Sequence, residues 1–194
     1  YINMRQRTLA SSFTLHGKGL HTGKNLTVTF CPAPENHGYK IQRTDLDGQP
    51  IFDAVAENVI ETTRGTVLGM GEARCSTVEH AFSALYIHGI DNVLVQVDGP
   101  ELPILDGSAT PYVQKIAEVG HTEQNADKNW LKIDKPIEYK DEATGSHISI
   151  LPADSFSVSV SIDFNSPLLP PQTASLEDIN AYDKEISAAR TFVF

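Results

Sequence analysis

The sequence predicts a mixed α+β protein, and three observations carry that reading. Short segments alternate apolar and polar residues with the period of a half-buried strand. Other stretches place apolar residues at helical spacing behind good N-terminal caps. A polar stretch at residues 121–129 reads as a linker, after which the pattern of elements restarts.

The chain begins its strand patterns at residues 8–15. Next comes His16-Gly17-Lys18-Gly19-Leu20-His21-Thr22-Gly23, whose glycines suit a tight connection. A phosphate cradle is the competing reading, although the glycines match neither common phosphate-loop spacing. Residues 26–30 alternate like a half-buried strand, and Pro32, Pro34, Asn36 and Gly38 mark a loop. Residues 39–43 read as a strand, 52–59 as extended chain, and 62–68 as a strand entered through a polar loop.

Cys75-Ser76-Thr77-Val78-Glu79-His80-Ala81-Phe82-Ser83-Ala84-Leu85 follows, and the rest of the chain is organised around it. Val78, Ala81, Phe82 and Leu85 make a core-facing stripe. Ser76 is a candidate N-cap, Glu79 completes a capping-box pattern, and Gly89 ends the helix. Glu79 and His80 then sit in the first turn, where the helix dipole favours a carboxylate and a neutral imidazole. A neutral imidazole binds metal, and a carboxylate beside it can take a proton from metal-bound water. On the local pattern alone, a capping Glu79 and a satisfied His80 are the favoured reading, since short motifs often match by chance.

Val93, Val95 and Val97 share one face of a strand at residues 92–97. Asp98-Gly99-Pro100 signals a turn. Asp106-Gly107-Ser108 reads as another, and Thr110 with Pro111 opens a second helix along the stripe Val113, Ile116, Ala117. After the linker, residues 130–133, 137–139 and 147–151 read as strands. Phe156, Val158, Val160, Ile162 and Phe164 give the cleanest alternation in the chain. Residues 165–174 form a proline-rich loop, and Ser175 caps a third helix with Ile179, Tyr182 and Ile186 on its apolar face.

The length of 194 residues suffices for one large domain or two small ones. A formal charge of −10 argues against nonspecific nucleic-acid or anionic-membrane binding, while leaving room for an anionic substrate in a local basic pocket. Cys31 and Cys75 make no disulfide framework, which points to a reducing cytoplasm. No apolar run has the length of a membrane span. Phe194 follows an apolar run with no polar tail, as if the sequence were cut inside a domain.

Nine segments stand out in order: Gln6-Arg7-Thr8-Leu9, Gly19-Leu20-His21-Thr22-Gly23, Pro32-Ala33-Pro34, Arg43-Thr44-Asp45-Leu46, Ser76-Thr77-Val78-Glu79-His80, Gly89-Ile90-Asp91-Asn92, Pro103-Ile104-Leu105-Asp106-Gly107-Ser108, Ile162-Asp163-Phe164-Asn165 and Ala189-Arg190-Thr191-Phe192. Together they resemble the zinc-dependent UDP-3-O-acyl-N-acetylglucosamine deacetylases of bacterial lipid A synthesis. Each is weak alone; their order across nearly the whole chain is specific.

The resemblance implies two domains, each a two-layer β/α sandwich, with the active site in the cleft between them. The first covers residues 1–121, residues 122–129 link them, and 130–194 begin an incomplete second domain. It implies that His80 is a zinc ligand and Glu79 the general base. Thr191 would bind the substrate carbonyl and the oxyanion formed from it. Asp163 and Phe164 would contact the uridine, Phe164 by stacking, with Phe192 among the substrate contacts and His21 near the site. The Asp106 turn carries no assigned chemical step. The implied substrate is a UDP-acyl-amino-sugar.

The sequence departs from the family pattern at its end. The family's two further zinc ligands, a His-x-x-x-Asp pair, and its later general-acid histidine have no counterpart; no histidine follows His147. Val193 stands where a glycine is usual. The expectation is therefore a deacetylase parent, and a 194-residue fragment that is inactive and zinc-poor alone. Such a fragment would self-associate or pair with the missing C-terminal half. The alternative is a non-catalytic binding or assembly module that keeps the fold.

Overall fold

The computed structural model describes residues 4–191. Two compact units divide the chain. The larger takes the chain up to Lys128 together with Asp183 onward, and the smaller is Asn129–Tyr182.

The larger unit opens with β1 (Arg5–Leu9), β2 (Phe13–Lys18), β3 (Asn25–Pro32), β4 (Tyr39–Arg43) and β5 (Ile51–Asp53). Three short strands follow: β6 (Val59–Glu61), β7 (Val67–Met70) and β8 (Ala73–Ser76). Then come α1 (Glu79–Ile87), β9 (Val93–Val97), α2 (Thr110–Val119) and β10 (His121–Asp127). The main sheet has the order β2-β3-β9-β4-β5. Only the β4–β9 pair is parallel. Parallel neighbours need a long crossover, and β5 to α1 occupy it.

Strand alternation and helical period meet in one core. Val28 and Phe30 of β3, Ile41 of β4 and Val93, Val95 and Val97 of β9 are wholly buried. Helix α1 buries Ala81, Ala84 and Leu85; α2 buries Tyr112, Val113 and Ile116. Phe30 meets the Tyr112 ring edge-on at 5.7 Å, which packs α2 onto the sheet. Each large apolar side chain buried this way contributes roughly 1.5–3 kcal/mol. Side chains of the intervening positions bond in polar pairs, Thr14 with Thr29 at 2.9 Å and Gln96 with Gln42 at 2.8 Å. A sheet lined by helices on one face and polar on the other is a two-layer α+β arrangement.

Several elements differ from the sequence reading. Residues 8–15 are not one strand, because β1 pairs with β10 while β2 pairs with β3. The predicted linker is largely β10. Its pairing needs only backbone groups, and Gln124 adds hydrogen bonds from Asn92 at 2.8 Å and to the Ala33 carbonyl at 2.8 Å. Ser76 does not cap α1. Its amide donates to Pro100 O and its carbonyl accepts from Leu102 N, both at 3.0 Å, which holds it in extended chain. Thr77 then turns left-handed at φ 58°, so the helix begins at Glu79. On α2, Tyr112 takes the buried place expected for Ala117, which is exposed.

The smaller unit contains two antiparallel hairpins. One joins β11 (Ile137–Asp141) to β12 (Ser146–Ile150), the other β13 (Val158–Ile162) to β14 (Gln172–Leu176). Ser175 lies in β14, where its hydroxyl meets that of Ser159 at 2.8 Å, so it caps no helix. The third helix is reduced to a 3₁₀ turn at Ile179–Ala181 and α3 (Tyr182–Glu185). Residues 130–133 form no strand. Ile137, Tyr139, Ile148, Ile150, Val158, Val160 and Ile162 are exposed, so alternation here marks strands without a buried face. No described helix is long and apolar enough to cross a membrane.

Candidate active site

Helix α1 delivers Glu79 and His80 at its first two positions, both half-buried. They are aimed by the left-handed Thr77, a costly conformation for a β-branched residue. The capping box predicted for Glu79 does not form. Its carboxylate instead accepts a short hydrogen bond from the Thr66 amide. Gly65 lets the two approach, since a Cβ there would lie 3.1 Å from Glu79 Oε1.

His21 stands on the turn after β2. That turn is closed by Gly19 N to Lys24 O at 2.9 Å and Gly23 N to Gly19 O at 3.1 Å. Thr191 is fixed by the Asp106-Gly107-Ser108 turn, its amide donating to Gly107 O at 2.9 Å. Within that turn Asp106 Oδ1 accepts from Ser108 N at 3.0 Å and Ser108 Oγ at 2.8 Å. Partial burial pushes the Asp106 carboxyl up, but these bonds and the charge of Arg190 outweigh it and hold it below the usual carboxylate range.

These residues, distant in sequence, border one cavity of about 300 Å³. Its lining is His21, Arg64, Gly65, Thr77, Glu79, His80 and Thr191, all from the larger unit. Among the sequence-predicted residues, His21, Glu79, His80 and Thr191 are thus brought together. Asp163 and Phe164 follow β13 in the smaller unit. Asp163 accepts from Asn165 N at 2.8 Å, and Phe164 is 64% exposed. Phe192 lies outside the described residues. Arg64, Gly65 and Thr77 were missed; the Arg64-Gly65 pair is a turn signal, but nothing local directs it to a site.

The lining offers imidazoles, a carboxylate, a guanidinium and hydroxyls. This set can orient a carbonyl and hold or move a proton. A catalytic zinc takes about three protein ligands. No cluster of three or more His, Cys, Asp or Glu side chains able to hold a metal occurs among the described residues. The imidazoles of His21 and His80 and the carboxylate of Glu79 offer donor types that zinc accepts, which fits part of such a site and not a complete one.

The family model for UDP-3-O-acyl N-acetylglycosamine deacetylase matches residues 6–194. The chain belongs to that deacetylase family. It is 58% identical over 191 residues to a bifunctional enzyme LpxC/FabZ of Bacteroides thetaiotaomicron, covering 98% of this chain and 41% of the relative. It is 53% identical over 190 residues to the enzyme of that name from Porphyromonas gingivalis, with coverages of 98% and 41%. A UDP-3-O-acyl-N-acetylglucosamine deacetylase of Anaeromyxobacter sp. is 43% identical over 192 residues, 97% of this chain and 61% of the relative. The chain therefore spans about two-fifths of the bifunctional relatives and about three-fifths of that deacetylase.

Proposed function

We propose that this chain supplies part of the active site of an amidase that removes the N-acetyl group from UDP-3-O-acyl-N-acetylglucosamine, in lipid A synthesis. The observation that carries the reading is the convergence of His21, Glu79, His80 and Thr191 on one cavity in a chain of the deacetylase family. The reaction adds water across an amide, breaking the C–N bond to give acetate and a free amine. Glu79 takes the proton of the attacking water. The Thr191 hydroxyl donates to the carbonyl oxygen as it gains charge, a contact worth on the order of a hundredfold in rate. Zinc, when bound, polarises the carbonyl and activates water; His80 would be one ligand, with the others from outside the described residues. Asp163 and Phe164 hold the uridine, Phe164 by stacking, while Phe192 touches substrate and His21 stands beside the reacting centre.

Two free cysteines and a nucleotide-linked substrate fit a cytoplasmic setting. The exposed apolar strands of the smaller unit support a reading in which further chain of a longer protein covers them. The 194 residues alone then self-associate, bind zinc weakly and do not turn over. Acetate release from the UDP-sugar by the intact, zinc-loaded gene product tests the activity. Turnover with stoichiometric zinc in the 194-residue chain would refute the proposed division of ligands.

A further inference from the structure

Glu101 is a carboxylate with no exposed surface, and the proposed chemistry does not use it. Burying such a group is costly unless donors satisfy it. Three donors to it come from one turn. Oε1 accepts from Thr22 N at 2.8 Å and Thr22 Oγ1 at 2.6 Å, and Oε2 accepts from His21 N at 3.2 Å. The fit requires glycine at position 19, where a Cβ would lie 2.0 Å from Glu101 Oε1. Thr22 Oγ1 in turn accepts from Lys24 N at 3.2 Å, closing the turn on itself.

The backbone around Glu101 is tied to the opposite wall. Glu101 forms an isolated parallel bridge with Ser76, and Ser76 bonds Pro100 O and Leu102 N on either side. Ser76 immediately precedes Thr77, Glu79 and His80 in the cavity lining. Three residues after Glu101, Ile104 N donates to Lys18 O at 2.9 Å. The stretch 100–104 is thus bonded to β8, which leads into the helix that carries Glu79 and His80, to the end of β2, and through the Glu101 carboxylate to the turn that carries His21.

We propose that Glu101 is a positioning residue that fixes the His21–Thr22 turn relative to the Glu79–His80 wall of the cavity. It acts through His21 and touches no substrate. This rests on the deacetylase reading for its effect on rate, though not for its effect on the turn. A carboxylate presents acceptors to all three donors, whereas an amide keeps one acceptor oxygen and must turn its NH2 toward either the His21 N–H or the Thr22 donors. In Glu101→Gln the turn loosens, and displacement of a site residue by about 1 Å costs on the order of a hundredfold in rate.

The test is made in the intact, zinc-loaded gene product. Glu101→Gln is expected to lower kcat by about 10- to 100-fold with KM for the UDP-sugar changed less than about threefold. Amide exchange at His21 and Thr22 is expected to accelerate at least tenfold while Ile41 and Val95 keep their protection. Thr22→Val, on an exposed turn, should lower kcat in the same sense, and Thr22→Ser, which keeps the hydroxyl, should restore it. Unchanged His21 and Thr22 exchange, acceleration spread equally over the core, or wild-type kcat with a loosened turn would each overturn the proposal. A wild-type protein that releases no acetate would sink the deacetylase reading instead, and the exchange measurement would still decide whether Glu101 holds the turn.

Discussion

The backbone amide of Thr66 hydrogen-bonds the carboxylate of Glu79, thirteen residues further along the chain. The first residue of α1 is therefore anchored to the turn before β7 and not to its own helix end. One carboxylate oxygen is held, so the group meets the cavity in a set orientation. In the proposed role of proton acceptor, this would replace rotamer freedom with geometry before substrate arrives.

Glu79→Gln separates the two roles of this side chain. Glutamine keeps an acceptor for Thr66 but cannot take a proton. We expect kcat of the intact, zinc-loaded protein to fall by about 10²- to 10⁴-fold, with the melting temperature moved by only a few degrees. Acetate release and calorimetry on the same samples check this. A modest loss of rate would remove Glu79 from the role of base.

Gly107→Ala should disturb Thr191 through backbone alone. Gly107 has φ 82°, and a Cβ there would lie 3.1 Å from the Thr191 carbonyl oxygen. Strain in the left-handed region costs about 1–3 kcal/mol, and the neighbour that must give way is the segment bearing Thr191. The expected result is a lower urea midpoint together with a fall in kcat larger than that of a surface substitution. Loss of stability with unaltered kcat would mean that Thr191 does not need this turn.

Much of the larger unit was legible because its signals are local. Val93, Val95 and Val97 alternate, and all three are wholly buried. Val78, Ala81 and Leu85 of the α1 stripe are buried and Gly89 is left-handed as their spacing implies, while Phe82 is half-buried and Ala84 takes a core place instead. What was not legible depends on partners far away in sequence. Ser76 looks like a cap until Pro100 and Leu102 claim its backbone. Ser175 looks like a cap until Ser159 pairs with it. Glu79 and His80, singled out by motif order, line the cavity, whereas Arg64 and Thr77 enter the lining through backbone conformation, which composition does not encode.

Gln124 tests the reassignment of residues 121–127 from linker to strand. Its amide oxygen accepts from Asn92, its nitrogen donates to Ala33 O, and Asn92 is itself buried and bonded to Gln6 at 2.9 Å. Gln124→Ala leaves the Asn92 amide and the Ala33 carbonyl each short of a partner. We expect a loss of roughly 1–3 kcal/mol by urea unfolding. A linker residue would change stability by less than about 0.5 kcal/mol, so that smaller value would restore the linker.

Arg43 and Asp45 predict an acid-dependent stability. Arg43 is almost wholly buried, and its guanidinium donates to both Asp45 oxygens at 2.8 Å and to Arg74 O at 2.8 Å. The Arg43 hydrogen bonds are the largest influence on Asp45 and hold its carboxyl below the usual range. A group depressed on folding stabilises the folded state above its unfolded pKa, near 3.9, and loses that contribution as pH falls through the folded value. Asp45 is itself exposed and water screens the pair, so Asp45→Asn should cost about 1 kcal/mol at pH 7, and its gap from the parent protein should narrow below about pH 4. A gap that stays constant with pH would assign the cost to packing.

The two cysteines should differ sharply in reactivity. Cys75 is wholly buried on β8, and burial is the main cause that pushes its thiol up to about 12; the charges of Glu101 and Glu79 add to the rise while Arg43 opposes it. Nucleophilic attack needs the thiolate, so at pH 8 Cys75 is protonated as well as shielded. Cys31 is partly exposed on β3. Under native conditions a thiol reagent should label about one cysteine per chain quickly, and peptide mapping should place that label on Cys31. The second should appear only on unfolding, with a rate that follows the global opening of the larger unit. Rapid labelling of both would show that β8 opens independently, and the wall that supports Glu79 and His80 would then be mobile on the labelling timescale.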